Sequence, residues 1–268
     1  MQLTVKQKHW LDFVRAMTSK EIKARYKKAS FGFLWILINP LSQMLVMGVV
    51  FQHFVPVAVD NYFLFLFSGL LPWNFFSQSL AKATPAFFYE RNLIKKAQFP
   101  REAIVLSIVL SNFVHFLISF LLLLLILLIH SLLSGLGSWT FFANYLLNLA
   151  SLIPVILLLL AFTSGLSLLT ASLNVRFRDV NFMVQLALML WFYATPIIYT
   201  LDLLPQPLRS ILYLNPMTGV IELFHHAVLG SALTEPSLLY LALLIVVVIC
   251  YLGWQVFRQA SRNFDDWL

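Results

Sequence analysis

Cysteine is almost missing from this chain. Cys250 is the only one. It lies within an apolar run, so a disulfide framework and a thiolate metal site are both excluded. Charge is scarce as well. Asp, Glu, Lys and Arg make up 11% of the 268 residues, against roughly 25% in an ordinary soluble domain. No Gly-Lys pair occurs, so there is no P-loop and no ATP hydrolysis by that route. His-Glu-x-x-His and Gly-x-Ser-x-Gly are missing too. Carboxylates are nearly absent from the apolar runs: Asp60 and Glu102 stand at run ends, and Glu222 sits in a later, shorter piece. A proton- or sodium-coupled transporter usually keeps ionisable groups near the bilayer midplane, so the scarcity argues against one. His53, His115 and His130 are scattered and read as packing or interface residues. His225 and His226 are adjacent, which on a helix turns them about 100° apart, poor geometry for one metal. The opening MQLTVKQKHW has no apolar core, and no cleaved leader is expected.

Apolar surface is what the chain has in plenty. It is 60% hydrophobic and holds 25 phenylalanines. Runs of about 20 or more apolar residues mark a polytopic membrane protein. The class is all-α, because an open strand cannot satisfy its backbone in lipid. Six transmembrane helices are predicted, at 31–54, 61–81, 102–130, 144–172, 181–200 and 237–257. Basic residues set the orientation. With the N-terminus in the cytoplasm, the inner segments are 1–30, 82–101, 173–180 and 258–268. Of the 18 lysines and arginines, only Arg209 then lies outside. Both termini are therefore expected in the cytoplasm. The net charge of +7, concentrated beside apolar spans, suits an anionic membrane surface rather than nucleic acid.

Two segments are not ordinary spans or loops. In residues 1–30, Trp10, Phe13, Val14 and Met17 share one face at helical spacing, amid eight basic residues. The segment reads as an amphipathic helix in the membrane interface; the alternative is a basic anchor that only fixes topology. Residues 201–236 hold two short apolar pieces broken at Asn215-Pro216, with Pro205 and Pro207 as further breakers. Each piece is too short to span. They read as two short helices re-entering from outside, or else as a loop resting on the bilayer.

The spans are rich in aromatics, and several lie away from the interfaces where aromatic belts form. Phe31, Phe33 and Trp35 open the first span. Trp73 and Phe76 lie in the second, and Trp191, Phe192 and Tyr193 in the fifth. Aromatic faces stack on the C–H faces of sugar rings, so such residues suit a conduit for a glycan. Asn39 and Gln43 in the first span should face protein or water, and Pro40 should kink it. Arg176, Arg178 and Asp179 read as a charged cytoplasmic turn.

The stretch ERNLIKKAQFPREAIVLS, residues 90–107, interleaves Leu93, Ile94 and Phe99 with Arg91, Lys95, Lys96 and Arg101. A loop that merely fixes topology needs no such apolar residues. Together with RYKKASFGFLWILINPL (25–41), FLFLFSGLLPWNFFSQSL (63–80), SLNVRFRDV (172–180), WFYATPIIY (191–199) and LNPMTGVIELFHHAVLG (214–230), it resembles the membrane subunit of a polysaccharide-exporting ABC type-2 transporter. That family moves lipid-linked O-antigen, capsule or teichoic acid. The resemblance runs from the interface helix to the last span.

The resemblance implies a homodimeric permease in the cytoplasmic (inner) membrane of a bacterium, without an ATPase site or cofactor of its own. ATP and Mg would be bound by two copies of a separate ATPase subunit. Segment 85–101 would contain a coupling helix, with Glu90, Arg91, Leu93, Ile94, Lys95, Lys96, Phe99 and Arg101 meeting that subunit. The substrate would be a polyprenyl-pyrophosphate-linked polysaccharide whose head comes in near Arg25, Lys27 and Lys28. Those same cations would equally suit anionic membrane lipid. The glycan would pass Phe31, Phe33, Trp35, Trp73, Phe76, Trp191, Phe192 and Tyr193, and Asn215 and Pro216 would form an outer gate. Three other readings stay open: an exporter of another lipid or a drug, a membrane enzyme acting on polyprenyl-linked sugars, and an ion-coupled flippase.

Overall fold

The computed structural model describes residues 5–27, 31–54, 61–96, 99–133, 150–230 and 236–264. Lys28, the start of the predicted 144–172 span and the end of the C-terminal tail lie outside the described residues. Helices dominate, and no strand occurs among the described residues. In chain order they are α1 (Val5–Tyr26), α2 (Trp35–Phe54), α3 (Tyr62–Ala83), α4 (Ala86–Tyr89), α5 (Arg91–Lys96) and α6 (Glu102–Leu133). Then follow α7 (Leu152–Arg176), α8 (Val180–Tyr193), α9 (Gln206–Leu212), α10 (Pro216–Leu229) and α11 (Pro236–Ala260).

Among the described residues, four helical stretches are long and apolar enough to cross a membrane: Gly32–Phe51, Glu102–Ile129, Leu152–Arg176 and Tyr240–Ala260. They overlap the first, third, fourth and sixth predicted spans, the start of the fourth lying outside the described residues. The second, α3, has 22 residues, about 33 Å of helix, but carries Asn74, Gln78 and Lys82 among its apolar residues. The fifth is shorter than expected. Its helix α8 has 14 residues, about 21 Å of helix against a hydrocarbon core of about 30 Å. Residues 194–200 are turns and bends. Thr195 precedes Pro196, a position that disfavours helix, and Pro196 supplies no N–H to continue one.

The core is built around α3, which packs on α2, α6, α7, α8 and α10. Phe65, Leu66, Phe67, Leu70, Trp73, Phe75 and Phe76 are all buried there. A second, smaller core lies at the other end of α3. It joins Met17, Ala83, Phe87, Ile94, Ile104, Leu168, Phe257 and Phe264. The apolar face of α1 belongs to that end. Val14 and Met17 are buried, Phe13 stacks on Phe99 at 4.7 Å, and Trp10 Nε1 donates to Glu102 at 3.3 Å. The face expected toward the membrane interface thus has a protein partner, since α1 packs along α6.

Helices α7 and α11 cross closely. A Cβ on Gly253 would lie 2.0 Å from the Gly165 carbonyl oxygen, and one on Gly165 would lie 2.6 Å from Cys250 Cα. Only glycine permits backbones to meet this closely, and small residues of this kind let helices pack in lipid, where no hydrophobic force drives them together.

Candidate functional site

The segment predicted as one coupling helix is two short ones. α4 and α5 meet at Glu90, whose carboxylate accepts a hydrogen bond from Lys20 Nζ at 2.6 Å. Ile94 is 6% exposed and turned into the second core. Leu93 and Phe99 pack against that core, and Phe99 is covered by Phe13. Arg101 donates to the Ser261 carbonyl and lies over the Phe264 ring, tying the segment to the C-terminal end of α11. These residues hold the segment in place. The outward side chains are others. Tyr89 is 74% exposed, Phe88 39% and Phe177 53%, while Arg91, Lys95 and Lys96 are exposed around them. The Arg91 and Arg178 guanidiniums lie 5.9 and 5.1 Å from the Phe88 ring centre, and Arg176 lies 5.1 Å from that of Phe177. The α7–α8 turn and the α4–α5 pair therefore make one aromatic, cationic face. Asn174 Oδ1 accepts from the Asn181 amide at 3.1 Å and fixes that turn. Sequence reasoning missed Phe88 and Tyr89, although the run Phe87-Phe88-Tyr89 just after Pro85 was there to be seen.

A cavity of about 370 Å³ opens between α1, α2, α3 and α6. Arg25, Tyr26, Trp35, Asn39, Asn74, Gln78, Lys82, Asn112, His115 and Ser119 are among its lining residues. It joins Arg25, expected to meet a lipid head, to Trp35, expected to meet a glycan. Lys27 is exposed close by in the chain. The Arg25 guanidinium donates to Asn112 Oδ1 at 2.5 Å and meets His115 Nδ1 at 2.9 Å. Tyr26 packs on Phe33 at 4.9 Å and edge-on to His115 at 5.5 Å. Burial pushes the Tyr26 phenol up, against the lowering pull of Arg25. Asn74 donates to Gln43 at 2.9 Å, which gives one polar residue of the first span a partner on α3.

The other expected conduit aromatics divide sharply. Phe31, Phe33, Trp35 and Tyr193 are exposed, whereas Trp73 and Phe76 are 4% and 0% exposed. Trp73 meets Phe192 at 5.6 Å, and Phe76 meets Phe162 at 5.3 Å and Trp191 at 5.0 Å. Trp73, Phe76 and Phe192 are thus packed between helices within this chain, so none of them presents an open ring face to a passing sugar.

The two short helices expected before the last span are α9 and α10. Asn215 is the hinge between them. Its Oδ1 caps α10 by accepting from Met217 N at 2.9 Å, and accepts from Trp191 Nε1 at 2.7 Å. Its Nδ2 donates to Thr195 Oγ1 at 2.9 Å and to the Ala194 carbonyl at 3.2 Å. Pro216 occupies the first helical position, where its missing N–H costs nothing. Gly230 ends α10 at a positive φ of 69°. Helix α10 is buried along almost its whole length against α3, α7 and α11. Glu222 accepts a hydrogen bond from the Tyr213 hydroxyl, and His225 Nε2 donates to the Phe65 carbonyl at 3.1 Å.

Residues 13–229 match the ABC-2 type transporter family. The chain is 32% identical over 260 residues to an O-antigen export system permease protein RfbA of Klebsiella pneumoniae, covering 95% of this chain and 94% of that one. It is 31% identical over 254 residues to a protein of the same name from Myxococcus xanthus, covering 94% and 93%. The polysialic acid transport protein KpsM of Escherichia coli matches at 23% identity, with 93% of each chain covered.

Proposed function

The chain belongs to the ABC-2 type transporter family, and from that membership we propose that it is the permease of an ATP-driven exporter of a lipid-linked polysaccharide. One observation carries the reading: its O-antigen export relatives align over nearly the whole of both chains at 31–32% identity. The substrate is a polyprenyl-pyrophosphate-linked glycan, and a homodimer of the chain encloses its conduit in a bacterial cytoplasmic membrane. Both termini lie in the cytoplasm, as the near-exclusive use of basic residues on one side supports. The conduit is lined by the exposed aromatics, Phe31, Phe33, Trp35 and Tyr193. Phe31 and Phe33 lie in the short turn just before α2, Trp35 opens α2 and Tyr193 ends α8; α2 and α8 both pack on α3. The α9–α10 hinge at Asn215-Pro216 is the outer gate.

ATP and Mg belong to a separate ATPase subunit, present in two copies. It seats on the face made by Phe88, Tyr89 and Phe177 with Arg91 and Arg178. Exposed aromatics ringed by arginine are the usual anchors of a protein interface. Leu93, Ile94 and Phe99 support that face from within, and Lys95 and Lys96 lie at its rim, where charges chiefly steer association. The lipid head comes in beside Arg25, Lys27 and Lys28.

The test is export in cells. Deleting the gene should leave polysaccharide inside the cytoplasmic membrane, and the wild-type chain together with its ATPase should restore surface polysaccharide. Restoration by the permease alone, driven by a proton or sodium gradient, would contradict the proposal.

A further inference from the structure

Residues 202–212 differ from everything around them. No residue of α9 is buried, and Asp202, Leu203 and Pro205 before it are exposed as well. The residues at either end are the opposite: Leu201 is 3% exposed and Tyr213 is 0% exposed. The segment is a strap hung between two buried anchors.

The strap is braced from within. Arg209 donates from Nε to the Leu204 carbonyl and from Nη2 to the Asp202 carbonyl, both at 2.8 Å. Its guanidinium also lies 3.6 Å from the Asp202 carboxylate. One side chain thus ties α9 to the turn that precedes it, so the strap can move as a single piece.

The helix beyond Tyr213 is fixed. His225 of α10 stacks on the Phe65 ring at 3.9 Å and bonds the Phe65 carbonyl, which pins α10 to α3. Asn215 bonds Trp191, Ala194 and Thr195, which pins the start of α10 to the end of α8. Tyr213 stands between the loose strap and this fixed helix, and its hydroxyl donates to Glu222. Among the described residues, Glu222 is the only buried carboxylate. Enclosing a carboxylate at membrane depth is costly, and such residues mark function together with their partners. Here a partner of that carboxylate is the anchor of the strap.

We propose that the Tyr213–Glu222 hydrogen bond is a latch. It holds the strap 202–212 at α10, and its release lets the strap swing outward as a rigid lid. In making that lid the moving part of the outer gate, the inference rests on the gate reading; the latch itself does not.

The test uses the full chain in liposomes, with a spin label on Ser210→Cys in a Cys250→Ala background. Two quantities are read: the mobile fraction of the label, and the leak of potassium from the liposomes. Tyr213→Phe keeps the buried ring and removes only the hydroxyl. It should raise the ratio of mobile to immobile label about tenfold or more, and the leak should rise with it. Glu222→Leu removes the same bond from the other side and should free the label equally, which decides the matter if Tyr213→Phe yields no protein. Glu222→Gln keeps an acceptor for the hydroxyl and should behave as wild type. Tyr199→Phe, which deletes a hydroxyl bonded to the Tyr193 carbonyl instead, should also leave the label unchanged. An unchanged label in Tyr213→Phe and Glu222→Leu, even with a lowered thermal midpoint, would reduce the bond to a structural contact and overturn the latch. A freed label without any rise in leak would uphold the latch and defeat the gate reading alone.

Discussion

Trp73 and Phe76 on α3 and Phe88 and Tyr89 on α4 belong to consecutive helices, yet the two pairs do opposite things. The first pair is enclosed by α7 and α8 through Phe162, Trp191 and Phe192. The second pair stands outside, with arginines over the Phe88 ring. The difference lies in what surrounds each aromatic. α3 is crossed by helices on nearly every side, so its rings find ring partners from the same chain. α4 has one turn buried through Ala86 and Phe87, and Phe88 and Tyr89, which follow, stay 39% and 74% exposed. Aromatics of the first kind hold the fold; those of the second kind await a partner.

That contrast can be broken by substitution, and the buried side should break hardest. Gly253→Val places atoms where the Gly165 carbonyl already lies, at 2.0 Å for the Cβ alone. The α7–α11 crossing must open, and the expected outcome is no monodisperse protein on size-exclusion chromatography in detergent. Phe76→Ala should cost about 3–5 kcal/mol, seen as a large drop in the thermal midpoint of the purified chain. Asn215→Ala removes a helix cap and leaves Trp191 Nε1 without its acceptor; about 1–3 kcal/mol should be lost. If the gate reading is right, export should fall further than that stability loss explains.

Much of the fold was legible because apolar run length is a direct consequence of bilayer thickness. The third span, 102–130, corresponds to Glu102–Leu133, and the sixth, 237–257, to Pro236–Ala260. The fifth was misjudged in length because apolar residues continue past Tyr193 while Thr195-Pro196 already ends the helix. The break at Asn215-Pro216 was readable from proline chemistry alone, although the four hydrogen bonds of Asn215 were not. Site residues were harder. Ile94 and Phe99 alternate with lysines and arginines as interface anchors do, but this chain covers both itself. Covering them takes α1, α6 and the end of α11, which no local pattern announces. For the same reason Lys82 and Asn112 went unnoticed beside Arg25, and His115 was read only as a packing or interface residue: Lys82 comes from α3 and the other two from one turn of α6.

The exposed aromatic face either seats the ATPase or it does not. The deciding measurement is the affinity of the purified permease for its ATPase subunit, wild type against Tyr89→Asp. Tyr89 is largely exposed, and its ring meets only the neighbouring Phe88 among the described aromatics. The variant should therefore keep the wild-type thermal midpoint and bind the ATPase about thirtyfold or more weakly. Equal affinity in the two proteins would show that the ATPase seats elsewhere, and the division between fold-holding and partner-seeking aromatics would fail.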